Sequence, residues 1–357
     1  MEPVLLAFDW FFLVEKLILI ITVVMVSLLI AMYETYAERK IAAVIQDRRG
    51  PNRAGPFGIF QPLADGVKLF MKEEIIPTTS NRFLFVLGPC LAMLTAMMTS
   101  AVIPLGGTLD LNFIGIDRVV NLQIADINIG ILFVFGVVSM GVYAIMIGGW
   151  ASNNKFSLLA ALRGASQVIS YELPMGLALI ALLMTTGSLK MSAIVGQQLD
   201  NVYNVFYQPL GFFIFFVCAL AECNRTPFDL PEAENELNFG YHQEYSSMKL
   251  GFYLFAEYIN MFMSSMVMAT LFFGGYDVPF VNDAALHESW GNWRGLLQGF
   301  SLFAKAAAFI FLFIWIRWTI PRFRYDQLMN LGWKKLIPLS LVNMLITAIW
   351  ILYRNQG

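Results

Sequence analysis

The chain has few charged residues for its length. Of its 357 residues, 13% are Asp, Glu, Lys or Arg, whereas 58% are hydrophobic and the mean hydropathy is +0.65. Soluble domains carry roughly 25% charged residues. About half of the expected charged side chains are therefore missing, which excludes an ordinary soluble domain. The formal net charge of −2 gives no reason to expect a nucleic-acid partner.

Metal-ligating residues are scarce as well. There are three cysteines, Cys90, Cys218 and Cys223, none of them in a Cys-x-x-Cys pair, and two histidines, His242 and His287. An iron–sulfur cluster normally takes four thiolates, and a zinc site needs closely spaced Cys or His ligands. We therefore expect this chain to bind no metal and no cofactor by its own residues. Any electrons must then be brought by a partner protein.

The N-terminus lacks the basic segment of a cleavable signal. Glu2, Asp9 and Glu15 occupy the stretch where such a signal carries lysine or arginine. We therefore expect the first apolar run to act as a membrane span.

Long apolar runs are what the sequence does have. A helix that crosses a bilayer needs about 20 apolar residues. Candidate spans are 11–33, 83–103, 128–150, 167–187, 205–222, 252–274, 300–320 and 336–353. The predicted fold is an all-α integral membrane protein of about eight transmembrane helices, with residues 1–357 forming a single domain.

Basic residues are distributed unequally over the predicted loops. Sixteen follow the first, third, fifth and seventh helices, whereas the opposite side has five, namely Lys16, Arg118, Lys190, Arg294 and Arg354. Lys and Arg accumulate in cytoplasmic loops. The bias predicts an N-out, C-out topology with two cytoplasmic loops of interest, 34–82 and 223–251.

The loop at 34–82 combines an arginine-rich segment with a helical pattern. Residues 38–53 read ERKIAAVIQDRRGPNR and end at turn signals. Apolar residues then recur at Phe60, Leu63, Ala64, Val67, Phe70 and Met71, with Gln61, Asp65, Lys68 and Lys72 between them. This pattern predicts an amphipathic helix at the membrane surface. It is compatible with a plain interfacial anchor, or with a site for a ligand that has an apolar tail and a polar head.

Ionisable residues occur within the predicted spans, where each costs about 2.5–3.5 kcal/mol on insertion scales. They include Glu172, Glu222, Glu257 and Arg317. The helix directions put the three acids at similar depths in the cytoplasmic half of the membrane. Pro174 follows Glu172 closely, and a proline in a helix frees a backbone carbonyl and can admit water. Such converging acids indicate a group that handles protons.

The loop at 223–251 extends this set of acids. It contains Arg225, Asp229, Glu232, Glu234, Glu236 and Glu244. On a helix, Asp229, Glu232 and Glu236 would share one face, and their mutual repulsion would raise the carboxyl pKa values. The alternative is a solvated acidic loop in which Asp229 caps a helix, because charge runs are usually solvated. The buried acids beside the loop favour proton sharing.

Four motifs connect the chain to a known family. They are AERKIAAVIQDRRGPNRAGPFGIFQPLADGVKLFMKE at 37–73, SYELP at 170–174, AECNRTPFDLPEAENEL at 221–237 and RWTIPRFRYDQLMNLGWKKLIP at 317–338. With these motifs the chain resembles the quinone-site membrane subunit of proton-pumping NADH:quinone oxidoreductase, respiratory complex I.

The resemblance implies two groups of functional residues and no covalent catalysis by this chain. The residues implied for quinone binding are Glu38, Arg39, Gln46, Arg48, Arg53, Asp65, Lys68, Arg225, Arg317, Arg324 and Asp326. Those implied for a proton relay are Tyr171, Glu172, Glu222, Asp229, Glu232, Glu234, Glu236, Glu244 and Glu257. In such a complex the first cytoplasmic loop forms the mouth of a quinone tunnel, and the acidic loop abuts it.

The resemblance also implies partners. Quinone would be the substrate, and an iron–sulfur cluster in a peripheral partner would reduce it outside the membrane. FMN and the iron–sulfur clusters would belong to partner subunits. We expect contacts with the other membrane and peripheral subunits and with membrane lipid. The expected location is the bacterial inner (plasma) membrane, in preference to the mitochondrial inner membrane.

Other functions share some of these features. The equivalent membrane subunit of an energy-converting hydrogenase would share the acidic loop, but the complete first-loop motif favours quinone. A cation/proton antiporter should show inverted repeats and an ionisable path across the membrane, and neither is evident. A purely structural anchor would not need the buried acids. The choice between ubiquinone and menaquinone, and between proton and sodium coupling, stays open.

Overall fold

The computed structural model describes residues 10–110, 118–199, 202–279, 281 and 291–356. Glu2, Asp9 and His287 lie outside these ranges. The helices are α1 (Trp10–Ile45), α2 (Gln61–Met71), α3 (Arg82–Met98), α4 (Gly130–Ala151), α5 (Lys155–Thr186), α6 (Met191–Leu199), α7 (Asn204–Tyr207), α8 (Pro209–Glu222), α9 (Glu234–Leu237), α10 (Ser247–Phe272), α11 (Arg294–Thr319), α12 (Tyr325–Asn330) and α13 (Ile337–Gln356).

Helices dominate the described residues, so the predicted all-α membrane class is confirmed. A 3₁₀ turn at Thr99–Val102 extends α3, and a π-helical segment at Leu331–Leu336 joins α12 to α13. Extended structure in the described chain is a small antiparallel hairpin of β1 (Thr108–Asp110) and β2 (Val119–Asn121).

Seven helices within the described ranges are long and apolar enough to cross a membrane. The predicted span 205–222 is divided, because α7 ends at Tyr207 and α8 begins at Pro209. Gln208 between them has φ −134° and ψ 60°, since steric contact with the following proline disfavours the helical region. The apolar composition of 205–222 gives no sign of this break.

Helix α1 is longer than the predicted span 11–33. No glycine or proline occurs between Trp10 and Gly50, and the helix runs for 36 residues to Ile45. At 1.5 Å per residue it is about 54 Å long, against about 30 Å of bilayer hydrocarbon. The expectation of a loop from residue 34 was therefore wrong, and the last turns of α1 carry Glu34 and Glu38 into the folded core.

Two further helices begin earlier than their predicted spans. Helix α5 starts at Lys155 and not at 167, and the last helical segment starts at Tyr325 and not at 336. Much of the fourth motif therefore lies on a helix. The long helices hold these candidate residues on rigid elements.

Helix α10 is the centre of the bundle. Of its most apolar 18-residue window, 72% is buried, and it packs against α1, α3, α8 and α11. In α1 the corresponding fraction is 11%, and Leu17, Ile18 and Met25 are exposed. An apolar helix that the chain itself leaves uncovered requires lipid or another membrane protein around it.

The orientation of the bundle stays a prediction from the charge bias. Green fluorescent protein fused after Gly357 is expected to be dark, and alkaline phosphatase at the same place to be active, because a C-out topology exports the fusion. The same reporters inserted after Asn52 should show the opposite pattern. A fluorescent fusion at Gly357 would contradict the predicted topology.

Candidate functional site

Three helices and a loop meet at the buried carboxylate of Glu38. Its side chain on α1 is 8% exposed, and Arg317 Nη1 of α11 lies 2.5 Å from Oε1. Arg225 Nη1 from the acidic loop lies 3.8 Å from Oε2, to which the Tyr258 hydroxyl of α10 donates a hydrogen bond of 2.8 Å. The structure thus brings together Glu38, Arg225 and Arg317, which the resemblance implied, and adds Tyr258.

Arg225 is a buried cation, and two of its nitrogen atoms make no hydrogen bond in the described structure. The residue is 4% exposed and its guanidinium lies 4.2 Å from the centre of the Tyr258 ring. Its Nε and Nη2 atoms have no hydrogen-bond partner among the described residues. Burial acts to lower the pKa of Arg225, but Tyr258 and Glu38 beside it raise that pKa above its usual range. The guanidinium therefore stays charged inside the fold, next to the polar lining of the cluster.

Glu34, one turn before Glu38, was missed in the sequence. It is 4% exposed, and neither carboxyl oxygen has a hydrogen-bond partner within the described chain. Arg225 and Glu38 are its electrostatic neighbours. The available signal was the i,i+4 spacing of two acids, which was overlooked because the predicted span ended at residue 33.

A polar pocket of about 200 Å³ adjoins this cluster. It is lined by Thr226, Asp229, Glu232, Arg317, Trp318 and Arg322. Arg322 Nη2 lies 2.6 Å from Asp229 Oδ2, whereas Oδ1 is buried and has no hydrogen-bond partner in the described structure. Burial, and then Glu232, raise the pKa of Asp229 to about 7, although Arg322 opposes the shift. Asp229 can therefore gain or lose a proton near neutral pH.

A smaller cavity of about 90 Å³ lies between the helices. Its polar lining includes Thr95, Thr99, Glu222, Glu257, Asn260 and Ser264. Glu222 Oε1 is buried and has no hydrogen-bond partner in the described part of the chain. The cavity exceeds the about 10–15 Å³ that one bound water needs, so it has room for water beside the two carboxyl groups.

Glu257 joins this cavity to the acidic loop. The Tyr241 hydroxyl donates a hydrogen bond of 3.3 Å to it, and Glu232 is a second hydrogen-bonding neighbour. Burial and the Glu257 charge hold the pKa of Tyr241 well above its ordinary value. The hydroxyl therefore keeps its proton and orients the carboxyl group.

The acidic loop does not form the predicted helical face. Pro227 and Pro231 interrupt it, and between Asp229 and Glu236 the chain is helical only from Glu234, where α9 begins. The prediction that Asp229, Glu232 and Glu236 share a helical face is therefore wrong, and Asp229 does not cap a helix. The loop instead closes on itself at Gly240. Glycine is required there, because φ is +71° and a Cβ atom would clash with the Pro231 carbonyl oxygen.

Two acids of the loop point to other partners. Glu236 is an exposed residue whose Oε2 lies 2.7 Å from Arg163 Nη1 of α5. Glu244 accepts a hydrogen bond of 2.8 Å from the Asn154 side chain. The side chain of Glu234 lies outside the described part of the structure. The solvated-loop interpretation thus fits Glu236, whereas Asp229 is buried.

Tyr171 and Glu172 have different surroundings on α5. Ser139 of α4 donates a hydrogen bond to Glu172 Oε1, and Glu172 is an electrostatic neighbour of Glu222. The Tyr171 hydroxyl donates a hydrogen bond of 3.0 Å to the Leu328 carbonyl and is buried. Glu172 therefore adjoins the cavity acids, whereas Tyr171 connects α5 to α12.

The first-loop residues form an exposed network apart from the buried cluster. Arg39 Nη1 lies 2.6 Å from Asp65 Oδ2, and Lys68 Nζ lies 3.7 Å from Asp65 Oδ1. Arg48 donates a hydrogen bond of 2.7 Å to Gln46. Arg53 is exposed. The Arg39–Asp65 pair attaches α2 to α1 immediately beside Glu38.

The predicted amphipathic helix is present as α2. It begins at Gln61 and ends at Met71, and the apolar side chains of Phe60, Leu63, Val67, Phe70 and Met71 are exposed. The apolar stripe therefore faces outward, where lipid or an apolar ligand can cover it. Arg324 and Asp326 are also exposed, at the start of α12, and lie outside the buried cluster.

Comparison with known proteins places these observations in a family. Residues 17–348 match the model of the family described as NADH dehydrogenase. The chain is 62% identical over 341 residues to an H-type NADH-quinone oxidoreductase subunit of Cytophaga hutchinsonii, covering 96% of this chain and 98% of that protein. It is 59% identical over 345 residues to the H-type subunit of Flavobacterium johnsoniae, covering 96% of each chain. The H-type subunit of Leptospira biflexa is 47% identical over 355 residues, with 98% of each covered.

Proposed function

The chain belongs to the NADH dehydrogenase family, as a membrane subunit of NADH-quinone oxidoreductase, and from this premise we propose that it forms part of a quinone-access tunnel and couples quinone reduction to proton translocation. The observation that carries the proposal is the buried Glu38–Arg317–Arg225 cluster beside a polar pocket.

The arrangement suits a molecule with a polar head and an apolar tail. The exposed apolar stripe of α2 offers a path for an isoprenoid tail. The Arg39–Asp65 ion pair connects this stripe to the helix that carries Glu38. At the inner end, Arg317 lines the polar pocket, and its guanidinium suits the carbonyl oxygen of a quinone head.

Quinone reduction takes two electrons and two protons. The electrons would come from an iron–sulfur cluster in a peripheral partner, with FMN also held outside this chain. Asp229, with a pKa of about 7, is suited to supply a proton beside the polar pocket. Loss of that proton leaves a carboxylate that the adjacent Arg322 stabilises.

The proton route proposed here leads from the polar pocket to the helix cavity. Glu232 lines the pocket and contacts Glu257, and Glu257 shares the cavity with Glu222. Glu172 lies beyond Glu222 and accepts a hydrogen bond from Ser139. Because neighbouring carboxylates repel one another, a charge change at one end shifts the shared protons along the series.

The rival functions lack comparable support. The relatives described above are named as subunits of NADH-quinone oxidoreductase, and none of these names refers to a hydrogenase or an antiporter. We propose the bacterial inner membrane as the location, with the other membrane and peripheral subunits of the complex, quinone and lipid as partners.

Breaking the exposed Arg39–Asp65 pair tests the tunnel mouth. In the purified complex, Arg39→Ala is expected to lower kcat/KM for quinone severalfold, because α2 loses a connection to α1. Reduction of ferricyanide by NADH should stay unchanged, since it needs only the partner's cofactors. Lys190→Ala is the matched control, because it breaks another exposed pair, with Asp126 at 2.6 Å, away from this loop. Normal quinone kinetics in the Arg39 variant would remove the pair from the site.

Asp229, which lines the polar pocket, predicts a pH dependence of quinone reduction. The raised pKa means that Asp229 is mostly protonated below about pH 7 and ionised above it. Because the protonated form is the proposed donor, the rate of quinone reduction should fall as the pH rises through about 7. Asp229→Asn should remove that transition. Glu236→Gln, at an exposed ion pair, should keep it. An unchanged profile in Asp229→Asn would assign the transition to another group.

A further inference from the structure

The end of the bundle away from the acids contains an apolar groove. It has a volume of about 350 Å³ and is lined by residues that include Val23, Val26, Ile103, Phe262 and Phe303. This volume lies within the about 300–1,000 Å³ of typical ligand sites. On α1 the groove uses residues 19–27, whereas the buried ionic cluster uses Glu38. On α11 the groove uses the first turns, whereas the cluster uses Arg317 in the last turn. None of the residues assigned to the proposed quinone and proton functions is among its lining residues, although Met263 lines both the groove and the cavity of Glu222 and Glu257.

The groove is open toward the bilayer. Gly295 and Gly299, one turn apart on α11, line the groove, and a Cβ atom at either would contact the segment at 105–122. Leu296 and Phe300, which also line it, are 53% and 73% exposed. A ligand would enter sideways from lipid, because the lip of the groove lies on membrane-spanning helices.

The groove lining suits hydrocarbon better than water. The polar side chains among the lining residues are three hydroxyls, those of Thr22, Ser27 and Ser100. Each already donates to a backbone carbonyl of its own segment, at 2.8, 2.7 and 2.6 Å respectively. Apolar cavities without hydrogen-bonding partners do not hold water well. A flexible apolar chain is the favoured occupant.

A cation stands at one end of the groove. Lys16 lies one turn before Leu19 on α1, and its ammonium group donates a hydrogen bond of 2.8 Å to the Gln123 carbonyl. Both Leu19 and Leu122, next to Gln123, line the groove. Glu15, at 3.7 Å, is the acid beside Lys16.

Two further basic residues belong to the same end. Arg294 directly precedes Gly295, and the Arg118 guanidinium lies 4.7 Å from the centre of the Phe11 ring at the start of α1. Three of the five basic residues assigned to this side of the membrane are therefore on the elements that frame the groove. This concentration of cations on a cation-poor side favours an anionic head group.

The length of the groove matches one leaflet. Lys16 and Ser27 are separated by about 16 Å along α1 at 1.5 Å per residue, and half of the hydrocarbon layer is about 15 Å. A phosphate beside Lys16 would therefore have its acyl chain along Leu19, Val23 and Val26.

We propose that this groove binds an acyl chain of an anionic phospholipid from the leaflet opposite the acidic loop, with the phosphate beside Lys16. The acyl chain lies between α1 and α11, along the groove lining. This site depends on the membrane location of the chain and is independent of the quinone assignment.

Photolabelling of the whole complex tests the site. The complex is reconstituted in vesicles that contain phosphatidylglycerol with a diazirine midway along one acyl chain, or the matched phosphatidylcholine. After irradiation, mass spectrometry counts adducts on 19–27 and 295–303 relative to the exposed helix 337–356. Enrichment on the two groove segments is expected, with phosphatidylglycerol preferred about fivefold for one cation at the surface.

Paired variants separate the groove from general lipid contact. Val26→Phe fills the groove and should remove the enrichment, whereas Met25→Phe, next to it but exposed and outside the lining, should retain it. Thr22→Phe is the second filling variant if Val26→Phe fails to assemble, which native electrophoresis and ferricyanide reduction would reveal. Lys16→Gln should abolish the head-group preference, and Arg354→Gln should keep it.

Several results would overturn the proposal. Equal labelling by both phospholipids, without enrichment over 337–356, would mean ordinary bilayer contact. Labelling by a diazirine-bearing isoprenoid quinone, in place of the phospholipid, would make the groove a quinone-tail site. A cross-link from position 26 to another protein of the complex, with no lipid adduct, would mean that this protein covers the groove.

Discussion

The double substitution Glu222→Gln and Glu257→Gln is expected to abolish quinone-linked proton translocation. Both carboxyl groups line the same small cavity, and glutamine keeps the shape of the side chain but cannot exchange a proton at neutral pH. Proton transfer by a positioned group typically contributes 10² to 10⁴ in rate, so quinone reduction should itself fall by about a hundredfold. The two losses should appear together, because tightly coupled steps do not run separately.

The measurement compares proton uptake with quinone reduction in one preparation of vesicles. Ferricyanide reduction by NADH and native electrophoresis establish that the variant complex is assembled. Glu236→Gln serves as the control acid, because it is exposed and paired with Arg163. Single Glu222→Gln and Glu257→Gln variants should be milder, since waters in the cavity can reach the remaining acid. Pumping at the wild-type stoichiometry and rate in the double variant would make these acids structural.

Glu38→Ala is expected to destabilise the assembled complex and to remove quinone turnover. Its carboxylate compensates two cations, and without it the buried Arg225 and the partly exposed Arg317 would lose their shared partner. Removing one member of a buried ion pair costs about 3–5 kcal/mol. The midpoint of thermal disassembly should therefore fall, and quinone reduction should be lost even below that temperature, because the cluster that orients the head group is gone.

The neighbouring Arg39 supplies the matched comparison. Its ion pair with Asp65 is exposed, with side-chain exposures of 48% and 25%, and exposed pairs contribute about 0–1 kcal/mol. Arg39→Ala should thus leave the disassembly midpoint almost unchanged and affect only quinone kinetics. A variant pair, Glu38→Gln with Arg317→Met, keeps the volume and removes one charge of each sign. If it disassembles at the same low temperature as Glu38→Ala, uncompensated charge is not the cause.

The membrane class could be predicted from the sequence, because it depends on local composition. Apolar runs need no knowledge of the fold to indicate spans, and the 3.6-residue period between Phe60 and Met71 predicts α2 directly. The ends of the helices were less accessible. An apolar run does not mark where its helix ends when polar residues continue the helix, as in α1 past residue 33.

The break before Pro209 and the turns around Pro227 and Pro231 had signals in the sequence. Both were missed for the same reason: hydropathy and charge were read without the backbone limits that proline imposes. The error changed one predicted span into α7 and α8. It also replaced a supposed acidic helical face with separate pairings of Asp229 and Glu236.

The composition of the buried cluster depended on the packed helices. Tyr258 donates to Glu38 across 220 residues of sequence, and Arg322 pairs with Asp229 across 93. No local period relates such residues, because their separation is set by how α1, α10 and α11 pack and by how the acidic loop folds over them. The same holds for Glu34, which in the sequence is an ordinary acid near the end of a predicted span. Only the packing of the neighbouring helices buries it and leaves both carboxyl oxygens without a hydrogen bond in the described structure.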